Sequence, residues 1–116
     1  MGDARDFTNF MTAVIDRRSF DKITGYIDRA KKDKSCDVIV GGNYEDSVGW
    51  FIEPTIIVTS NPKSETMVDE IFGPVLTVYV YEDNMFDEVL TLCDESSPYA
   101  LTGSIFANDE SDVQKA

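Results

Sequence analysis

The stretch that decides the fold is residues 16–40, DRRSFDKITGYIDRAKKDKSCDVIV. Phe20, Ile23, Ile27 and Ala30 recur at intervals of three and four, which lays one apolar stripe along a helix from Asp16 to about Lys34. Asp16 or Ser19 is placed to cap its first turn, and Lys31, Lys32 and Lys34 suit the negative end of the helix dipole. The period then changes. Asp37-Val38-Ile39-Val40 is a short β-branched run closed by Gly41-Gly42, the pattern of a buried strand ending in a turn.

The same alternation continues downstream. Asn43 to Gly49 is polar and reads as a loop. Trp50 to Thr59 is expected as an edge strand or extended segment, because Pro54 cannot donate inside a ladder. Glu65 to Glu70 reads as a short helix, stopped by Gly73-Pro74, and Val75 to Tyr81 as a strand with both faces covered. Asn84 is placed to cap a second amphipathic helix, with Phe86, Val89, Leu90 and Cys93 on its core face and Asp87 in its first turn. After a turn around Pro98 and Gly103, Ser104 to Ala107 reads as a further strand and Asn108 to Ala116 as a third helix. Helices alternating with strands predict an α/β architecture with at least partly parallel strands, and no internal repeat or linker interrupts it.

Composition narrows the function. The 116 residues carry 10 Lys+Arg and 22 Asp+Glu, a net charge of −12, with seven Phe, five Tyr and one Trp to build a core. One core's worth of chain is present, since single cores hold roughly 100–150 residues. Residues 1–34 hold eight basic and six acidic side chains, which leaves two basic and sixteen acidic for the rest. Such an acidic surface repels phosphate backbones, so no nucleic-acid partner is expected. No apolar run approaches the ~20 residues of a membrane span. The first residues read neither as a secretory signal nor as an Arg-rich transit peptide.

With no histidine, Ser/His/Asp and Cys/His arrangements cannot form within the chain. Cys36 and Cys93 are far apart and in no Cys-x-x-Cys spacing, so a reducing compartment fits best and no metal site is expected. Cys93 on an apolar stripe predicts a buried, inert thiol, and Cys36 at the start of a strand is similarly unreactive. Gly41-Gly42 lacks the rest of a phosphate loop. The pairs Glu45-Asp46, Glu82-Asp83, Asp87-Glu88 and Asp94-Glu95 lack calcium-loop spacing and read as solvated faces. Glu70-Ile71-Phe72-Gly73-Pro74-Val75 differs, because it sets a carboxylate and an aromatic two positions apart just before a strand. On composition alone Glu70 can simply be solvated and Phe72 can simply pack.

Here the sequence resembles the aldehyde dehydrogenase superfamily, in which a Glu-x-Phe-Gly-Pro motif lies in the nicotinamide cofactor site. Gly25-Tyr26-Ile27, Gly41-Gly42 followed by Phe51-Ile52-Glu53-Pro54-Thr55, and Tyr99-Ala100-Leu101-Thr102-Gly103 leading to Ile105-Phe106 agree with it in order and spacing. Asp6-Phe7 with Phe10, Ala13 to Asp16, Ser19-Phe20, Asp46 to Gly49 and Val78 to Tyr81 look like its Δ1-pyrroline-5-carboxylate dehydrogenase family. That family oxidises L-glutamate γ-semialdehyde to L-glutamate with NAD in proline catabolism, in the mitochondrial matrix of eukaryotes, through a cysteine thiohemiacetal and hydride transfer.

The resemblance implies a three-layer α/β catalytic domain with a mostly parallel sheet and flanking helices, of which residues 1–116 would be a part. It implies that Glu70 accepts hydrogen bonds from the nicotinamide ribose and that Phe72 walls the nicotinamide or its ribose. The nucleophilic cysteine, its glutamate base, the oxyanion asparagine, the substrate-carboxylate loop and the Rossmann cofactor domain have no counterpart here. No catalytic residue is therefore expected in this chain, which alone should be inactive. Its implied partners are the rest of the catalytic and cofactor domains, an aldehyde substrate and further copies of the parent. The alternatives are another aldehyde dehydrogenase, or an autonomous acidic module that binds a basic partner without catalysis.

Overall fold

In a computed structural model, residues 1–99 and 101–116 are described. They form two compact units, Met1–Val80 and Tyr81–Ala116. Ala100, within one of the matching segments, lies outside the described residues.

The first unit is built on helix α1, Arg17–Ala30, capped by Asp16, whose carboxylate accepts from the backbone N–H of Ser19 at 2.7 Å. Of the two candidate caps, Asp16 serves. The helix ends four residues earlier than its periodicity suggested, because Lys32 N–H turns back to Arg29 O and Asp33 then accepts from Ser35 N–H. Its stripe is sunk in the core: Phe20, Ile23 and Ile27 pack with Ile52 and Ile71, and Ala30 packs with Cys36 and Ile57.

Strands β1 (Cys36–Val40), β4 (Thr55–Thr59) and β5 (Val75–Tyr79) form one sheet in the order β1-β4-β5. The β1–β4 ladder is antiparallel and the β4–β5 ladder parallel, so this part of the α/β fold carries a mixed sheet. The short strands β2 (Tyr44–Glu45) and β3 (Phe51–Ile52) pair separately, inside what reads in sequence as a loop and an edge segment.

Three strand expectations need correction. Strand β4 is central rather than an edge, because Pro54 stops one residue short of the ladder and Thr55 N–H donates to Pro74 O at 2.8 Å. Strand β1 is itself an edge, bulged between Val38 and Val40, with Ile39 59% exposed. Strand β5 ends at Tyr79 and is also an edge, with Leu76 59% exposed, so its two faces are not both covered. The face of Thr55, Ile57 and Thr59 is buried, whereas Ile56 and Val58 opposite are only partly covered. A run of β-branched residues reports that a strand will form, not where it will stand in the sheet.

The turn between β1 and β2 explains the Gly-Gly pair. Gly41 and Gly42 both have positive φ, and a Cβ on Gly41 would collide with Pro54 O, so no other residue type fits there without strain. Thr55 Oγ1, fully buried, accepts from Gly42 N–H at 3.0 Å and donates to Glu53 O at 2.8 Å, which closes the turn onto β4.

The second unit holds a 3-10 turn at Asp83–Met85, helix α3 at Phe86–Glu95 and helix α4 at Glu110–Lys115, where Lys115 pairs with Asp87. Asn84 lies inside the 3-10 turn rather than capping α3 by its side chain. Phe86, Val89 and Leu90 are half-buried, but Cys93 is exposed, contrary to the expected core position. No residue of α3 is fully buried, so this small unit does not close over the whole stripe. Ser104 to Ala107 forms no strand, since no ladder partner meets it among the described residues.

The cap gives a test of α1. Hydrogen bonding to Ser19 N–H, its largest cause, lowers the Asp16 pKa below the usual carboxylate value. The ionised cap therefore stabilises the fold fully above the unfolded-state pKa, and this contribution is lost as pH falls through the folded-state value. Asp16→Asn keeps an acceptor but cannot titrate, so its stability should be near wild type at neutral pH and fall less steeply on acidification. Urea unfolding from pH 7 to pH 3 checks this, and an unchanged acid slope would contradict it.

Candidate functional site

One face of α1 organises the segment that precedes β5. Lys22, Tyr26 and Arg29 lie at i, i+4 and i+7, positions that share a helix face, and Ile23 adjoins them on the buried stripe. Arg29 Nε donates to Glu65 Oε1 at 2.7 Å, Tyr26 OH donates to Asp69 Oδ2 at 2.7 Å, and Lys22 Nζ donates to Glu70 O at 2.7 Å. The Arg29 guanidinium also stands 4.6 Å from the Tyr26 ring centre. Hydrogen bonding to Asp69 raises the Tyr26 pKa, and hydrogen bonding to Glu65 raises that of Arg29. Helix α2, Glu65–Val68, is shorter than expected, and Glu70 stands beyond it in an extended turn.

Packing fixes the other half of the segment. Ile71 is buried with Phe20, Ile23, Ile27 and Ile52. At Gly73 an added Cβ would lie 2.5 Å from Ile23 Cδ1 and 2.8 Å from its Cγ1, so the backbone here touches the helix side chain directly. Val75 N–H donates to Gly73 O at 2.8 Å, which tightens the turn into β5.

Phe72 is caught between these two anchors. Its φ is 60°, the left-handed region, and the residue is 86% exposed. A bulky residue in that region costs about 1–3 kcal/mol. Burial of the neighbouring Ile71 contributes about 1.5–3 kcal/mol, enough to hold the strained residue in place. The structure thus turns Ile71 inward and presents Glu70 and Phe72 outward on either side of it. Among the described residues no hydrogen bond or ion pair occupies the Glu70 carboxylate. An ionised carboxylate with both oxygens free can take two donors at once, and a bare ring beside it can cover a flat group.

The other sequence candidates do not form a site. Cys36 is buried, with its thiol 3.5 Å from Thr59 Oγ1, as expected of a structural thiol. Asp46 pairs with Arg17, and no group of three or more His, Cys, Asp or Glu residues is placed to hold a metal among the described residues. No described helix is long and apolar enough to cross a membrane. Lys22 and the contact of Gly73 with Ile23 escape sequence reading. The only local signal was the polar spacing of Lys22, Tyr26 and Arg29 beside the apolar stripe.

Residues 1–116 match the sequence profile of the aldehyde dehydrogenase family, and the chain belongs to that family. It is 57% identical over 107 residues to the mitochondrial delta-1-pyrroline-5-carboxylate dehydrogenase of Dictyostelium discoideum, covering 92% of this chain and 19% of that protein. It is 50% identical over 117 residues to the mitochondrial delta-1-pyrroline-5-carboxylate dehydrogenase of Danio rerio, covering 100% of this chain and 21% of that protein. The crystal structure of the Mycobacterium tuberculosis delta-pyrroline-5-carboxylate dehydrogenase bound with NAD superposes with a TM-score of 0.85 at 41% identity, over 97% of this chain and 20% of that one. The chain thus spans about a fifth of the length of these relatives.

The strain at Phe72 predicts a trade-off. Phe72→Gly relieves the left-handed backbone and removes a ring that buries little surface, so it should leave stability unchanged or raise it by up to about 1 kcal/mol. Urea unfolding measures this, and a loss above about 1 kcal/mol would show that the ring packs structurally.

Proposed function

We propose that this chain is part of the catalytic domain of an NAD-dependent dehydrogenase that oxidises L-glutamate γ-semialdehyde to L-glutamate in the mitochondrial matrix. Glu70 and Phe72 form one wall of its nicotinamide site. The observation that carries the reading is the outward display of a carboxylate and a strained aromatic around the buried Ile71, within a Glu-x-Phe-Gly-Pro motif. The names of the relatives support the substrate, and the NAD-bound neighbour supports the cofactor. The word mitochondrial in both relatives' names supports the compartment.

The residues present fit the cofactor. Glu70 offers an acceptor-only group to a vicinal ribose diol, which carries two donors. Phe72, unable to relax while its neighbours are anchored, offers a ring face that excludes water from the reacting side of the cofactor. When bound, NAD supplies the hydride acceptor. The chain's own part is to hold that acceptor in position, which lowers the entropy cost of reaching a reactive geometry. The rest of the catalytic and cofactor domains would supply the nucleophile and the substrate-binding groups. The partly open face of Ile39 and Leu76 is apolar surface that such a neighbour would cover.

In the full-length enzyme Glu70→Gln should raise the NAD dissociation constant about tenfold while leaving thermal stability unchanged, because a charged acceptor is exchanged for a weaker neutral one. Isothermal titration with NAD measures it. An unchanged affinity would remove Glu70 from the cofactor site.

A further inference from the structure

The backbone on the N-terminal side of Phe72 is held by two contacts of different kinds. Ile71 is held by apolar packing, which restrains depth but not rotation about the chain. The Glu70 carbonyl is held by the Lys22 ammonium at 2.7 Å, a charge-assisted bond that fixes the direction of the peptide plane between Glu70 and Ile71. That plane sets the direction from which the Glu70 side chain leaves the backbone.

Lys22 has no ion-pair partner among the described residues, although acidic side chains surround it along the helix and the chain is strongly acidic. Ile23, the next residue of α1, bears on Gly73 from the buried stripe. Two successive residues of α1 therefore grip the motif before and after Phe72. One grips it by charge and the other by shape.

We infer that Lys22 is a positioning residue of the cofactor site, acting through the Glu70 carbonyl to hold the Glu70 carboxylate in its displayed geometry beside Phe72. It touches neither cofactor nor substrate. This rests on the assignment of Glu70 and Phe72 to the nicotinamide wall. Without the Lys22 donor the peptide between Glu70 and Ile71 regains torsional freedom, and the Glu70 carboxylate is presented to the cofactor for only part of the time, while Ile71 and Gly73 still hold Phe72. The fold itself survives, because Ile71, Gly73 and the β4–β5 ladder remain in place.

The test uses the full-length enzyme with Lys22→Met, Lys22→Arg, Glu70→Gln and Phe72→Leu, measuring NAD affinity by titration, kcat at saturating NAD, and Tm. Lys22→Met keeps the stem and helix propensity but loses the donor. It should weaken NAD binding about three- to fivefold, as befits a solvent-exposed charged bond, with kcat and Tm essentially unchanged. Lys22→Arg, which restores a donor, should recover most of the affinity. If Lys22→Met lowers Tm, Lys22→Ala read by the same titration at a temperature well below unfolding gives the same comparison. Wild-type NAD affinity in Lys22→Met, while Glu70→Gln and Phe72→Leu bind weakly, would overturn the role of Lys22 alone. Equal loss in Lys22→Met and Lys22→Arg would also overturn it. Unchanged affinity in both Glu70→Gln and Phe72→Leu would overturn the nicotinamide wall, and the role of Lys22 with it.

Discussion

The contact between the Gly73 backbone and the Ile23 side chain is the constraint on which the rest of the candidate site depends. A residue with a Cβ at position 73 would drive the segment off α1 or force Ile23 out of its rotamer, and cores resist both. With the backbone pressed onto the helix at Gly73 and Ile71 drawn into the same cluster, the residue between them has nowhere to place its side chain but outward. The positive φ of Phe72 is the geometric consequence. The strain is offset by the burial that enforces it, so an exposed aromatic is held in place without a socket of its own.

Polar contacts set the register that packing alone leaves loose. Arg29, Tyr26 and Lys22 of α1 donate in turn to the Glu65 carboxylate, the Asp69 carboxylate and the Glu70 carbonyl. Each of these bonds is solvent-exposed and contributes little stability alone. Three of them along one helix face still define a single alignment of the 65–73 segment, because a shift by one residue would break all three together. Burial supplies the energy and the polar contacts select the arrangement.

Local features of the fold were legible in the sequence, and non-local ones were not. Helix α1 and the Gly41-Gly42 turn follow from periodicity and from residues whose conformational needs are written in their chemistry. The central place of β4, the exposure of Ile39 and Leu76, and the solvent-facing Cys93 depend on which distant strands or helices lie alongside, which a run of Val and Ile does not encode. Pro54 misled because a proline next to a ladder looks, in sequence, like a proline within one. At the candidate site, family likeness singled out Glu70 and Phe72. Lys22 was not, since its partner is a backbone carbonyl forty-eight positions away and carries no residue signature.

The most direct test of this account is a double-mutant cycle between Gly73 and Ile23, read by urea unfolding of the full-length protein. Gly73→Ala should cost about 1–3 kcal/mol in the wild-type background. In the Ile23→Val background, which lacks the methyl group nearest the glycine, the same change should cost at least about 0.5 kcal/mol less. Equal costs in the two backgrounds would mean that Gly73 and Ile23 do not bear on one another, and the helix would no longer explain how the segment is held.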